Sequence, residues 1–108
     1  MRTYLGEFEQ LLLWALLHVG EDAYGARIRE VVEVRTDRAV SPGAVYTALD
    51  RLESRGLVSS WLGEPTAQRG GKRKRYYRLE PHGAELLRRS DAALGRMARG
   101  LRPKLQTS

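Results

Sequence analysis

The sequence predicts a mainly α-helical protein with one small β-hairpin, an α+β class with the element order helix, helix, helix, hairpin, helix. Apolar residues recur at helical spacing in the segments before residue 57. Two short runs of β-branched and aromatic residues follow, separated by a stretch that contains Pro65 and two adjacent glycines. After Pro81, leucines recur every seven residues, which indicates a final helix with a hydrophobic seam.

The first helix is predicted over Glu7–Val19. Residues 11–17 are apolar around nearly the whole helical circumference, so this helix must be covered on two sides. Gly20 is a natural helix stop because glycine readily adopts the left-handed conformation. Asp22 is a natural N-cap, and we expect it to begin a second helix over residues 23–34.

The third helix has the clearest start signal. Ser41 is an N-cap candidate, and Pro42 suits the first helical position because its fixed φ is already helical. The helix ends at Gly56, with Leu57 placed to contact Leu52 as in a Schellman cap. The apolar spacing turns a polar arc away from the core, and this arc includes Ser41, Gly43, Tyr46, Thr47 and Arg51.

Residues 57–64 and 73–79 are predicted to form the hairpin. Because side chains alternate along a strand, we assign Tyr77 to the inner face and Tyr76 to the outer face. Pro81 then begins the last helix. Its seam is formed by residues at heptad spacing, namely Leu87, Leu94 and Leu101.

Length and charge narrow the class of protein. The 108 residues suit one domain with an appended element, which we divide at 1–80 and 81–108. Residues 1–64 hold 7 basic and 10 acidic side chains, whereas residues 65–108 hold 12 basic and 3 acidic. A positive field concentrated in one half is typical of a protein that binds a polyanion, either nucleic acid or an anionic membrane.

The residue inventory excludes other classes. There is no Cys, and His18 and His82 have no partners at metal-ligand spacing, so we expect no metal and no cofactor. No catalytic motif is present, so we expect no enzyme. The longest apolar run is far shorter than the roughly 20 residues that span a bilayer. We therefore expect a cytoplasmic protein without a membrane partner.

A helix-turn-helix followed directly by a hairpin is the winged-helix arrangement. In this fold the exposed helix enters the major groove, and the hairpin loop lies along the adjacent DNA backbone or minor groove. The loop of this chain carries six cations within ten residues and no acid. Cations that neutralise phosphates release counterions, which favours binding. The residues predicted to contact DNA are Ser41, Gly43, Tyr46, Thr47, Arg51, Arg69, Lys72, Arg73, Lys74, Arg75 and Tyr76.

Five short motifs stand out along the chain, namely AYG at 23–25, SPGAVY at 41–46, LDRLE at 49–53, GLV at 56–58 and RKRYYRL at 73–79. Together they resemble the PadR family of bacterial transcriptional regulators, with a match over residues 5–83. The resemblance implies a winged helix, a C-terminal dimerisation helix that packs on the first helix of the partner, and usually repression relieved by a small molecule. The C-terminal region is shorter than in many members, and Glu80 stands where a Ser or Thr cap is commoner.

The combined expectation is a homodimeric repressor that binds an inverted-repeat operator in double-stranded DNA, with a small-molecule effector. Trp14 is the candidate ligand contact. The alternatives are a winged-helix module for protein interaction or RNA binding, and an anionic-membrane binder, which is disfavoured because the last helix lacks Trp or Phe to insert. The predicted dimer interface consists of Phe8, Leu12, Leu16, Leu87, Leu94, Met97 and Leu101.

Overall fold

A computed structural model describes residues 4–65 and 73–106. It confirms a mainly helical chain with one two-stranded antiparallel hairpin. No helix in these ranges is both long and apolar enough to cross a membrane. Two 3₁₀ turns accompany the main elements, at Gly20–Asp22 and Arg102–Gln106. The main elements are α1 (Glu7–Val19), α2 (Gly25–Thr36), α3 (Pro42–Ser54), β1 (Val58–Leu62), β2 (Arg75–Leu79) and α4 (Pro81–Ala98).

Helix α1 lies at the centre of the fold and contacts α2, α3, α4 and β2. The side chains of Leu12 and Leu13 are completely buried, as expected for a helix that is covered on more than one side. Trp14 and Leu17 are 41 % and 49 % exposed, so one strip of α1 remains open to solvent.

The start of α2 differs from the prediction. Gly20 has the expected positive φ, 81°, but Asp22 lies in a 3₁₀ turn and caps no α-helix. The N–H of Tyr77 donates to the carbonyl of Ala23 at 2.8 Å, and Tyr24 pairs with β2 through an isolated bridge. This pairing keeps the backbone extended, so α2 begins only at Gly25.

The end of α3 confirms the predicted Schellman cap. Gly56 has a φ of 75°. Its N–H donates to the carbonyl of Glu53 at 2.9 Å, and the N–H of Leu57 donates to the carbonyl of Leu52 at 3.0 Å. These two bonds satisfy carbonyls that the helix end would otherwise leave without a partner.

The hairpin follows α3 directly. Its register runs from Val58 opposite Leu79 to Leu62 opposite Arg75. Tyr77 is 2 % exposed and points into the core, which confirms its predicted inward orientation.

Helix α4 is shorter than the sequence pattern indicates. It ends at Ala98, and Gly100 has a φ of 77°, so Leu101 lies beyond the helix. Leu87 is 2 % exposed whereas Leu94 is 60 % exposed. The predicted continuous heptad seam is therefore wrong, because its first leucine belongs to the core and its last lies on a separate turn.

The first half of α4 packs into the same core as α1. Leu86 and Leu87 are buried there, and the buried Ser90 hydroxyl accepts a hydrogen bond from the N–H of Leu5 at 2.8 Å. This bond holds the segment before α1 against α4.

Three residues that were predicted to form the dimer interface are also core residues. Leu12, Leu16 and Leu87 are only 0 %, 4 % and 2 % exposed within one chain. These three side chains belong to the core of the subunit itself, and their place in a dimer interface remains a prediction. Phe8 is partly buried against the core, and the exposed members of the predicted set are Leu94, Met97 and Leu101.

We expect Gly83→Ala to destabilise the chain. A Cβ at this position would overlap the backbone carbonyl oxygen of Leu57 and would lie 2.8 Å from Cδ1 of Leu79. Because a backbone atom cannot rotate away, the cost should be about 1–3 kcal/mol, measured by urea unfolding. Gly95→Ala is the matched control, since its Cβ would meet nothing within 4 Å. Equal stability of the two variants would contradict this account of Gly83.

Candidate nucleic-acid interface

The entry to α3 is held by two side chains of α2. The N–H of Val40 donates to the Glu33 carboxylate at 2.9 Å, and the carbonyl of Val40 accepts a bond from Nε of Arg29. Arg29 and Glu33 also form an ion pair at 3.6 Å. Both backbone groups of Val40 are thereby fixed one residue before the N-cap of α3.

The first turn of α3 is capped as predicted. The Oγ of Ser41 accepts a hydrogen bond from the N–H of Ala44 at 3.1 Å, and Pro42 occupies the first helical position. Gly43 has open space where a side chain would be. A backbone this accessible at a helix N-terminus, where partial positive charge favours anions, can approach a phosphate closely.

The outward arc of α3 is exposed to solvent. Val45, Leu49 and Leu52 are buried on the opposite side of the helix, so the core fixes which face points outward. The predicted contact residues of this helix are all exposed, and they are Ser41, Gly43, Tyr46, Thr47 and Arg51.

Tyr46 is exposed to 44 %, yet its ring lies close to Gly25 at the start of α2. A Cβ on Gly25 would lie 2.7 Å from both the Cζ and the hydroxyl oxygen of Tyr46. The ring therefore combines packing on Gly25 with exposure toward solvent.

A polar network joins α3 to the hairpin. The Ser60 hydroxyl on β1 bonds to both carboxylate oxygens of Glu53, at 2.8 and 2.9 Å. The Nη1 of Arg75 donates to the same Ser60 oxygen at 3.0 Å. No local sequence pattern predicts this network, because its members are 7 and 15 residues apart.

The hairpin presents several of the predicted cations. Arg73, Lys74 and Arg75 are exposed at or beside the start of β2. Arg69 and Lys72 lie outside the described residues. These cations thus lie on a hairpin that comes directly after α3 and contacts it, as in a winged helix.

An aromatic cluster covers the outer face of the hairpin. The Tyr76 ring stands edge-on to Tyr24, with centroids 5.9 Å apart, and stacks on Trp61 at 6.0 Å. Lys74 Nζ lies 4.2 Å from the centre of the Tyr24 ring, and the Arg78 guanidinium lies 5.7 Å from that of Trp61. Tyr76 is on the outer face as predicted, but it is half-buried within this cluster.

Burial raises the pKa of the Tyr77 hydroxyl above its ordinary value of 10.0, and the negative charge of Asp50 acts in the same direction. Tyr77 therefore holds its proton to a higher pH in the folded chain than a free tyrosine does.

An apolar groove of about 520 Å³ lies between the end of α1 and the hairpin. Its aromatic lining residues are Trp61 and Tyr77, and Trp14 is not among its lining residues. Within residues 4–65 and 73–106, no three His, Asp or Glu side chains group as metal ligands. The groove is lined by Leu16, Leu17, Gly20, Glu21, Trp61, Tyr77, Arg78 and Leu79.

A capped, exposed helix beside a basic hairpin defines a winged helix-turn-helix protein. A family model described as the transcriptional regulator PadR-like family matches residues 13–89. The chain therefore belongs to the PadR-like family of transcriptional regulators. Proteins of this class are DNA-binding transcription regulators and not enzymes.

Solved structures agree with this family assignment. A transcriptional regulator from Clostridium thermocellum is 27 % identical with a TM-score of 0.70, and the match covers 84 % of this chain and 85 % of that chain. A PadR-like transcriptional regulator from Bacillus cereus is 23 % identical with a TM-score of 0.71, covering 94 % and 93 %.

A more distant likeness shows the same fold. The protein F93 from STIV, described as a winged-helix DNA-binding protein, is 18 % identical with a TM-score of 0.68, and the match covers 90 % of this chain and 97 % of that chain. Among curated proteins, no sequence matches this chain.

We expect the stability of the chain to fall as the pH rises above about 10, through the ionisation of Tyr77. Because its pKa is raised in the folded state, the unfolded chain releases this proton first, and folding loses free energy until the pH passes the folded pKa. Tyr77→Phe should flatten this part of the profile. The measurement is the free energy of unfolding in urea between about pH 8 and 11, and parallel profiles for the two proteins would contradict the prediction.

Proposed function

We propose that the chain is a homodimeric repressor that binds an inverted-repeat operator in double-stranded DNA, with the N-terminal half of α3 from each subunit in the major groove. The observation that carries this proposal is the exposed arc of α3 beside the cations of the hairpin. Two-fold symmetric winged helices contact half-sites about one helical turn apart, roughly 34 Å.

The charges on α3 favour insertion by its N-terminal end. Asp50 is exposed in the second half of the helix and would repel phosphates there. Glu53 is engaged by Ser60 on the hairpin, so it is turned toward the protein. The first half of the helix carries no acid and presents Gly43 and Thr47.

The helix and the hairpin take different parts in this proposal. Tyr46 and Thr47 contact base edges, which determine sequence preference, whereas Arg73 and Lys74 contact phosphates, which position the protein. Arg69 and Lys72 remain predicted phosphate contacts.

A series of single variants tests this division. Lys74→Ala should weaken binding to every duplex alike and reduce the log–log salt slope by about one unit. Thr47→Ala should cost about 1–3 kcal/mol on the operator and leave binding to unrelated DNA nearly unchanged. Arg96→Ala removes the same charge from an exposed position on α4 and serves as control. If only the Lys74 variant changed operator preference, the hairpin would have to be the element that determines specificity.

The homodimer is proposed from the apolar surface of the C-terminal region, which we regard as a dimerisation element over residues 81–108. Met97 is 77 % exposed and Leu105 is 83 % exposed, and both line an apolar groove with Leu94 and Leu101. A contiguous apolar patch on a small soluble chain indicates a surface that is covered by a partner. A second copy can supply that cover by a symmetric contact.

We expect Leu94→Glu to convert the dimer into a folded monomer. Leu94 is 60 % exposed in one chain, so the substitution places a charge in the dimer contact and not in the subunit core. Ala92→Glu, at an exposed position on the same helix, should remain dimeric. Light scattering at micromolar concentration measures both, and a monomeric wild type or a dimeric Leu94 variant would refute the proposed interface.

A small-molecule effector is also part of the proposal. The groove between α1 and the hairpin has a volume of about 520 Å³, within the range of ligand pockets, roughly 300–1,000 Å³. Trp14 remains the contact predicted from sequence, and it lies outside the lining of this groove.

Single-stranded RNA binding is a second candidate function, favoured by the Arg78 guanidinium beside the exposed Trp61 ring. Aromatic rings next to basic side chains are suited to stacking unpaired bases. A mobility-shift assay with a palindromic duplex from the promoter region and a single-stranded RNA of equal length separates the two candidates. The repressor proposal requires a duplex shift that the RNA does not compete away.

A further inference from the structure

The chain at residues 23–25 contacts the recognition helix α3 on one side and the hairpin on the other. Gly25 is the first residue of α2 and is buried, and its φ is not positive, so its backbone does not require glycine. Alanine would stabilise a helix relative to glycine by about 1 kcal/mol. The reason for glycine here is space, because a Cβ would lie 2.7 Å from the Tyr46 hydroxyl oxygen and would also overlap the ring.

The preceding residues contact the hairpin. The carbonyl of Ala23 accepts a hydrogen bond from the N–H of Tyr77, and Tyr24 pairs with Tyr76 through the β-bridge. In addition, Lys74 Nζ lies 4.2 Å from the centre of the Tyr24 ring. The Tyr24 side chain thus contacts Lys74, a predicted phosphate-binding cation. The Tyr24 backbone pairs with β2, the strand that begins directly after Lys74.

We infer that residues 23–25 form a positioning element that sets the DNA contacts of α3 and of the hairpin relative to each other. Gly25 determines where the Tyr46 ring lies, and Tyr24 determines where the Lys74 ammonium lies. This inference rests on the proposed DNA-binding function and adds two residues that contact no DNA themselves.

The first test uses Gly25→Ala. The added methyl displaces the Tyr46 ring from α2, so affinity for the operator should fall by about tenfold, which corresponds to one base contact. Binding to unrelated duplexes and its salt slope should stay the same, because the phosphate contacts are intact. Ala26→Ser, a change of one atom at the next and exposed position of α2, is the control and should bind as the wild type does.

A double-variant cycle shows whether Gly25 acts through Tyr46. In a Tyr46→Ala background the Gly25 substitution should have no further effect on operator affinity, since no ring remains to be displaced. Additive losses would overturn the inference. If Gly25→Ala alone unfolds the chain, refolding of the double variant supports the contact with Tyr46, and failure to refold refutes it.

The second test uses Tyr24→Leu. Removing the ring takes away the cation–π contact of Lys74, so affinity should fall about two- to fivefold for all duplexes alike. Tyr24→Phe keeps the ring and should restore the wild-type affinity. A change in operator preference with Tyr24→Leu would overturn the assignment of this residue to the hairpin contacts.

The wild-type chain separates failure of this inference from failure of the proposed function. If the wild type shifts no duplex, the proposed function fails. If the wild type binds its operator and the Gly25 and Tyr24 variants bind equally well, the proposed function stands and only the positioning element is refuted.

Discussion

The hydrogen bond from the Tyr77 N–H to the Ala23 carbonyl, 2.8 Å long, joins the hairpin to the helical part of the fold. It makes residues 23–24 a short extended partner of β2, which delays the start of α2 to Gly25. That start brings Gly25 under the Tyr46 ring. The orientation of the hairpin and the side-chain position of Tyr46 therefore depend on one stretch of backbone pairing.

The packing of the helices and the hairpin also determines which charged side chains are paired and which are exposed. In the acidic half of the chain, carboxylates are engaged within the protein: Glu9 pairs with Arg55 at 3.2 Å, and Glu53 accepts from Ser60. The cations at the start of β2 are exposed on the hairpin. Arg75 is linked to α3 through Ser60 and Glu53, so a polyanion can approach the hairpin cations and α3 together.

Local chemistry explains what the sequence predicted correctly. Ser41 and Gly56 act on backbone groups within a few residues of themselves, so the bounds of α3 follow from residue type and spacing. The inward orientation of the Tyr77 side chain follows from the alternation of side chains along a strand.

The predictions that failed depended on contacts distant in sequence. Asp22 has the chemistry of an N-cap, but pairing with a strand more than 50 residues later overrides it. Leu87 has the spacing of a seam residue, but it is 2 % exposed and belongs to the core of the subunit. The Tyr24, Tyr76 and Trp61 cluster joins three separate segments, and no single window of sequence contains it.

In the proposed complex, the outward arc of α3 contacts DNA while the hairpin and α2 fix the orientation of this helix. Mapping backbone amide chemical shifts of the isotope-labelled chain on an inverted-repeat duplex tests this most directly. We expect the largest chemical-shift changes from Gly43 to Arg51, with a second group at Arg73 and Lys74. The largest shifts on the face of Trp61 and Arg78, with α3 unchanged, would contradict it.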